Sequence, residues 1–545
     1  MPNATPLTFF DAFTRFGPRP RTHGKHPWSF EHLLDELDHC SIAGALVTST
    51  EQIQYDAMHA NRKLSAKLEA YDHLFPVWHV LPHWSDECAE PATLTKQMAD
   101  HDVRVVAMAP HTNNWNIQSV TSRPLFEELE RTATPIILAA DAEVHWTELE
   151  YLLSTFPKLP IILRQIRWGA QREVMPLVRT FKNLHVTFDH FQCNLALEWF
   201  TEKGCEDQLL FCSNTPEMAA GAHRFYVDYA DVSNEARAKI AGGNLTRLLK
   251  GLAPPRQREN KNEDPVMTEA RHGQPLSTTV YDMHAHMLDE GLNGAGGGVV
   301  MINGGPTGVR DLGLRMGVDR IGIMSWNGTV GVHAEDGNQC VFDAINAYPD
   351  FYWGLATFDV MHESAETMRA QMEKVYSDPR ILGLKPYPQY GIPYSDARYD
   401  CWWEFGNERG LYCGIHPHNW YQGGEIESLC KRFPNLTVVA YHCGASYDVA
   451  DIVIDLAKKY DNLMLEPTLT PSCCGIIDYL VKGAGADRVM YGSDLPMRDP
   501  RQQLGWVVYS KLDHETKKRV LGGNAKALID RITERQLQAT GATVS

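Results

Sequence analysis

The chain repeats itself once, at a nearly constant distance, and that repeat constrains the fold more than any single motif. IAGGNLTRLLKGL, from Ile240 to Leu252, is echoed by VLGGNAKALIDRI, from Val520 to Ile532, an offset of 280 residues. LLFCSNTPEM (Leu209 to Met218) and VMYGSDLPMR (Val489 to Arg498) keep the same offset. FPKLPIIL from Phe156 and FPNLTVVA from Phe433 stand 277 apart, and DVRVVAMAP from Asp102 and DPRILGLKP from Asp378 stand 276 apart. Matches in the same order, with small drifts that loops absorb, describe a duplicated unit of roughly 250–280 residues; a solenoid would repeat every 20–50 or so. The 545 residues accommodate two barrels of about 250 residues each.

Within each half, short apolar β-branched runs alternate with segments of helical period. From Thr437 the order is TVVAYH, YDVADIVIDLAKKY, NLMLEPTL, GIIDYLVKGAG, RVMYGSD. Such βαβ units, repeated over some 250 residues, predict a closed parallel (β/α)8 barrel, and no GxGxxG opens a helix after a strand as an open dinucleotide-binding sheet requires. The expected fold class is α/β, with two tandem (β/α)8 TIM-type barrels. Residues 1–253 form the first, 254–279 a polar linker broken by prolines and glycines, 280–535 the second barrel and 536–545 a tail. The Gly-rich stretch Gly291–Gly308 lacks GK[ST] and reads as an active-site loop.

Composition narrows the partners. With 51 basic against 68 acidic residues the formal charge is -17, which repels phosphate backbones, so no nucleic acid is expected. No run approaches the roughly 20 apolar residues of a membrane span, and the start of the chain lacks a basic region followed by an apolar one, so a cytoplasmic protein with no membrane partner is expected. Twelve cysteines without a CxxC pair read as reduced thiols, the adjacent Cys473 and Cys474 included.

The chemistry collects in the second half. VYDMHAHM sets His284 and His286 two apart in a predicted strand, and the period of two points both imidazoles to one side. His416 in LYCGIHPH, His442 in TVVAYHCG and Asp494 in RVMYGSD each stand where an apolar run stops. In a parallel barrel these positions meet at the C-terminal mouth. Four imidazoles and a carboxylate make an N/O donor set for a divalent metal, zinc first, with manganese, iron or cobalt as alternatives. His418 stands either beside the metal, as acid, base or donor to substrate, or in a loop. Glu466 and Arg498 follow strand ends, to contact substrate or to cap and pair. Tyr387, Trp402, Trp403 and Trp420 offer rings for a planar substrate or for the core.

Asp282, His284, His286, Lys385, His416, His442 and Asp494, with FPNLTVVAYHCG, RVMYGSDLP and VLGGNAKAL around them, resemble the amidohydrolase superfamily over roughly Thr279 to Glu534. The resemblance is greatest to its amidohydrolase-related branch of metal-dependent hydrolases and nonoxidative decarboxylases, such as aminocarboxymuconate-semialdehyde decarboxylase. It implies a catalytic metal on His284, His286, His416 and Asp494, with His442 a base or electrophile in one-metal members and a ligand in two-metal members. Lys385 is then a carboxylated bridging ligand or a cation for an anionic substrate. One or two ions are implied.

The repeat supplies its own control. At the local offsets Asp11 falls on Asp282, Phe13 on His284, Arg15 on His286, Ala109 on Lys385, Ala139 on His416, Gln165 on His442 and Asn214 on Asp494. Those residues cannot form the cage, so the first barrel is expected to lack metal and to act as an intramolecular pseudo-dimer partner, with further homo-oligomerisation open. Arg15, Arg164 or Arg167 is a candidate cross-domain cation. The leading expectation is a hydrolase acting on a small, carboxylate-bearing organic substrate through metal-activated water, with Asp494 taking the water's proton. The alternatives are a nonoxidative decarboxylase in which His442 and Asp494 handle protons, di-iron oxygen chemistry, and a noncatalytic scaffold.

Overall fold

The computed structural model describes residues 6–20, 22–258, 260, 262–294, 298–418 and 423–540. Apart from Met1, the chain divides into two units, Pro2–Glu263 and Asp264–Ser545.

In the N-terminal unit, β1 (Phe9–Phe16), β2 (Ile42–Ser49) and β3 (Leu74–Pro76) form a parallel sheet in chain order. A second parallel sheet follows, of β4 (Trp78–His79), β5 (Val106–Ala107), β6 (Ile136–Ala139), β7 (Ile161–Arg164), β8 (Leu184–Thr187) and β9 (Leu209–Leu210). The expected single ring is thus divided between β3 and β4. Pro76 has no N–H to donate there, and pairing resumes when Val77 N donates to Val47 O at 3.0 Å. At the other edge Ala12 N donates to Phe211 O at 3.0 Å. Phe10, Leu46, Val77, Ile137, Ile162 and Leu210, from strands of both sheets and the link between them, share one buried apolar cluster.

In the C-terminal unit one parallel sheet runs in chain order through β10 (Tyr281–Met287), β11 (Arg320–Ser325), β12 (Tyr352–Ala356), β13 (Ile381–Leu384), β14 (Tyr412–Ile415), β15 (Thr437–Ala440) and β16 (Leu463–Leu465). The eighth predicted strand, RVMYGSD, is an irregular segment. Val489 bridges Leu465 and Leu495 bridges Ala285, both parallel, so this segment meets both edges of the sheet. Parallel neighbours need a crossover, and the amphipathic sequences supply it. In the helix Tyr447–Lys459, Ser446 caps Val449 N, and Val449, Val453 and Ile454 are buried while Lys458 and Lys459 close the last turn.

Three boundaries differ from the sequence expectation. The segment 254–279 is not all linker, because Asp264 caps a helix, Pro265–Arg271, by accepting from Met267 N at 3.0 Å. Val266, Met267 and Ala270 are buried, and Lys517 Nζ reaches Asp264 Oδ2 at 2.6 Å. An overall polar composition hides three apolar positions on one short helical face. The tail expected at 536–545 begins as helix, since Asn524–Thr540 is continuous and Gln536 is buried. The glycine-rich loop is shorter than Gly291–Gly308, for Pro306 opens the helix Pro306–Met316; residues 295–297 lie outside the described residues. The cysteines are free thiols, all buried except the half-buried Cys401. Among the described residues no helix is long and apolar enough to cross a membrane.

Candidate active site

The pairing of β10 with β11 shifts register between Asp282 and Ala285, the kind of irregularity that re-aims side chains at a strand end. Asp282 Oδ1 accepts from His284 N and from Ser493 N, each at 3.0 Å, tying the first strand to the eighth segment. This brings His284 Nε2 to 3.4 Å and His286 Nε2 to 3.2 Å from Asp494 Oδ1. All three side chains are buried. His284 Nδ1 lies 2.9 Å from Glu466 Oε2, and Glu466 Oε1 accepts from Thr468 N at 2.7 Å. Two groups of donor atoms therefore lie within 4.8 Å of one another: His284, His286 and Asp494, and His284, His442 and Glu466.

These residues fit a divalent cation on electrostatic grounds. His284 Nε2 and Asp494 Oδ1 face each other deep in the unit, and neither has a hydrogen-bond partner among the described residues. Buried polar atoms are seldom left so. His442 Nδ1 donates to Thr468 O at 2.6 Å and His416 Nδ1 to Pro417 O at 3.2 Å. Carbonyls only accept, so Nε2 is the lone-pair nitrogen of both rings, the tautomer a metal ligand needs. Burial, aided by the Lys385 charge, holds His284 well below the usual imidazole range and brings His416 to about 4; burial likewise lowers His286 and holds His442 well below. Neutral imidazoles result. Burial alone would raise the Asp494 carboxyl, but Arg498, His284 and His286 hold it well below the carboxylate range. Burial pushes Glu466 up to about 8, and a cation at the cage would draw it back to the carboxylate that accepts an Nδ1–H.

Around the cage stand other sequence-predicted residues. Lys385, just past β13, is fully buried with Nζ 4.2 Å from the Tyr441 ring centroid and without a hydrogen-bond partner among the described residues. Burial pulls its ammonium down to about 7. Arg498 Nη1 donates to Asp494 Oδ2 and its Nε to Thr470 Oγ1 at 2.7 Å. The His416 ring is 4.8 Å from that of His442 and 5.0 Å from Tyr387, outside the two tight groups.

Elsewhere the structure chooses between the two roles expected of a residue. His418 turns from the cage: its Nδ1 sits 3.1 Å from Glu425 Oε2, and with Pro393, Ile415 and Val449 it lines a separate cavity of about 370 Å³. Trp402 and Trp403 are core, packed on Tyr399 and Phe358, with Trp403 Nε1 donating to Tyr394 O. Trp420 lies outside the described residues. Glu466 buttresses His284, a contact across 182 residues that no local motif signals. Tyr441, stacked on His284 at 3.8 Å, and Trp326, 5.0 Å from His286, also escaped the sequence reading; their only signal is a place beside a strand end.

The N-terminal unit repeats the backbone of this site. β1 shifts register between Asp11 and Thr14, and Asp11 Oδ1 accepts from Phe13 N at 3.2 Å and Ser213 N at 3.0 Å. Gln165 and Asn214 have positive φ, 55° and 53°, as His442 and Asp494 do, 63° and 60°. Among the described residues none of the positions at 13, 15, 109, 139, 165 and 214 joins a potential metal-holding group. His111, His145 and Glu148 do form one, partly exposed, in which Glu148 caps its own helix by accepting from His145 N at 2.9 Å.

Residues 281–531 match the family model described as Amidohydrolase. No curated protein matches. Among solved structures, an uncharacterized TIM-barrel protein from Bordetella bronchiseptica is 16% identical, with a TM-score of 0.38, over 47% of this chain and 99% of its own. A 5-carboxyvanillate decarboxylase from Sphingomonas paucimobilis is 16% identical, with a TM-score of 0.37, over 47% and 99%. A dihydroxybenzoic acid decarboxylase from Polaromonas sp. JS666, with bound manganese and the inhibitor 2-nitroresorcinol, is 14% identical, with a TM-score of 0.37, over 46% and 97%.

Proposed function

We propose that the amidohydrolase-type half is a closed (β/α)8 barrel that holds a divalent metal through His284, His286 and Asp494, with His416 completing the ligand set and His442 beside it, and that it decarboxylates a small organic acid without an oxidant. The N-terminal unit is, on this reading, a degenerate second copy. One observation carries the choice of reaction: Asp494 Oδ2 is bonded by Arg498, and the orphan Oδ1 faces the histidine pair, where a bound cation would take it. A hydrolase that uses Asp494 as the base needs a carboxylate oxygen left to receive the water's proton. The unpartnered Lys385 supplies what an anionic substrate needs in a buried site.

A divalent ion, zinc or one of its first-row neighbours, would supply Lewis-acid charge for a substrate carboxylate or hydroxyl oxygen. Lys385 balances the remaining substrate charge. His442, its Nδ1 committed to Thr468 O, presents Nε2 as the proton carrier. His442 Nε2 first takes a proton from solvent; the bond from the substrate carbon to its carboxylate then breaks, the electron pair stays on that carbon and takes that proton from Nε2, and carbon dioxide leaves. Hydrolysis of a carboxylate-bearing substrate is the second reading, favoured by the same His442 Nε2 if it receives a water proton in place of Asp494.

The test is a paired assay of the metal-loaded full chain. Dihydroxybenzoates and 5-carboxyvanillate are followed for carbon dioxide release, and a panel of lactones and amides for ring opening or cleavage. Turnover of the acids supports the lyase. Cleavage of the panel with no carbon dioxide from any acid overturns it in favour of the hydrolase.

A further inference from the structure

In the N-terminal unit the place of the cage is taken by two arginines and an asparagine whose polar atoms are not all used. Arg164 ends β7, and its guanidinium carbon lies 3.8 Å from the centroid of the Phe13 ring. The guanidinium carbon of Arg15, on β1, is 5.4 Å from the same centroid. Arg15 N donates to Thr215 O at 2.9 Å, which sets Asn214 beside the first strand. Arg164 is 8% exposed and Asn214 1%. Arg15 Nε, Arg164 Nη1 and both side-chain polar atoms of Asn214 are buried without a hydrogen-bond partner among the described residues. Two guanidinium groups near one ring repel each other, a cost that a bound anion would offset.

The neighbouring acids are committed elsewhere. Asp189 is bonded by Thr187 Oγ1 at 2.6 Å, His190 Nδ1 at 3.0 Å and Gln165 N at 3.2 Å. Glu143 accepts from Thr112 Oγ1 at 2.5 Å and from the backbone N–H groups of His111 and Thr112. Glu217 is shared between Arg19 and Arg15, the latter at 3.9 Å. None of these carboxylates bonds the orphan atoms, yet their presence limits how much further negative charge the site accepts. A single charge spread over two oxygens suits it better than a dianion. The Arg15 side chain is 18% exposed, so the cluster is reached from solvent on its side.

We propose that Arg15, Arg164 and Asn214 form an anion site for the carboxylate of a small organic acid, on the N-terminal unit and independent of the histidine cage. Arg164 Nη1, Arg15 Nε and the Asn214 amide N–H are the donors left over around Phe13, and a carboxylate has about four lone-pair directions to offer them. The corresponding pair in the other unit is Tyr441 on His284, also 3.8 Å apart but as stacked rings. Exchange of that pair for Arg164 on Phe13 converts a ligand-buttressing stack into a cationic one.

Calorimetric titration of the full chain with sodium acetate, sodium benzoate and inorganic phosphate tests this. Arg164→Gln and Arg15→Gln are each expected to weaken one carboxylate site per chain by about tenfold or more, the size of a lost charge-assisted hydrogen bond. Arg164→Lys, which keeps the charge but not the fork, is expected to fall between. Asp494→Asn is expected to leave that site intact. If Arg164→Gln fails to fold by circular dichroism, Arg15→Gln, on a partly exposed side chain, carries the test. Carboxylate binding that is absent from the wild type, unchanged in the arginine variants, or abolished by Asp494→Asn would overturn the proposal. Tighter binding of phosphate than of acetate would overturn the assignment to a singly charged ligand.

Discussion

In both units an aspartate on the first strand accepts, through Oδ1, from the backbone two residues on and from a serine N–H: Asp11 with Phe13 and Ser213, Asp282 with His284 and Ser493. In both, a C-terminal asparagine side chain donates to two backbone carbonyls, Asn244 to Glu206 and Leu209, Asn524 to Ala486 and Val489. What differs is the set of side chains hung on that backbone. Where one unit carries His284, His442, Glu466 and Asp494, the other carries Phe13, Gln165, Asp189 and Asn214. The left-handed residues and register shifts at these strand ends belong to the chassis, because they persist at Gln165 and Asn214 with no cage to serve.

Asp494→Asn puts the state of position 214 into the other unit, and the fold already accommodates an asparagine at that backbone geometry. Turnover of whichever substrate the assay reveals is expected to fall at least about 100-fold, with metal content lowered and the thermal midpoint little changed. Elemental analysis and a melting curve measure all three together with activity. Retention of more than about a tenth of the activity would remove Asp494 from the chemistry.

Glu466→Gln asks whether His284 is held as a ligand. Its counterpart Asp189 serves His190 and Thr187 instead, so the two acids separate buttressing of the cage from simple burial. Loss of a carboxylate that orients a metal-bound imidazole costs about 10–100-fold in metal affinity. Competition against a chromophoric chelator reads that loss, and an unchanged affinity would mean that His284 does not bind metal.

Strand-end positions were legible because period two and the end of an apolar run are local. His284, His286 and Asp494 could therefore be named before any fold was known. Glu466 and Tyr441 were not legible in the same way, since their role arises from contacts with His284 at the far end of the unit's sequence. His418 stood open between a place beside the metal and a loop, and its contact with Glu425, seven residues on, decides for the second. The division of the first sheet follows from Pro76, a residue visible in the sequence whose consequence depends on where the strand happens to pair.

The short helix Pro265–Arg271 adds to the C-terminal unit a piece that the composition assigned to the linker. Asp264→Ala removes its cap and leaves the buried Lys517 without that partner. A lost cap costs about 1 kcal/mol and an unpaired buried charge more, so a loss of about 2 kcal/mol is expected in the unfolding of the C-terminal unit. Denaturant melts of the full chain would show it. No loss would return residues 264–279 to the linker.

Asp11 offers the smallest and cleanest contrast, since no cage adjoins it. Burial raises its carboxyl from the ordinary 3.8 to about 7, so the folded state holds this proton more tightly than the unfolded chain does. The sign follows: the contribution to stability is fully present below about pH 4, is lost as pH rises toward 7, and changes no further above that. Three pH units at 1.36 kcal/mol each set an upper bound of about 4 kcal/mol, and relaxation around the charged form brings the expected change to about 1 kcal/mol. Asp11→Asn keeps the shape and has no proton to lose. Urea unfolding at pH 5 and pH 7.5 should therefore show the variant gaining on the wild type as pH rises. A wild type that gains on the variant instead would mean that Asp11 is ionised in the fold, and that the buried aspartate of the N-terminal unit is held by charge and not by its proton.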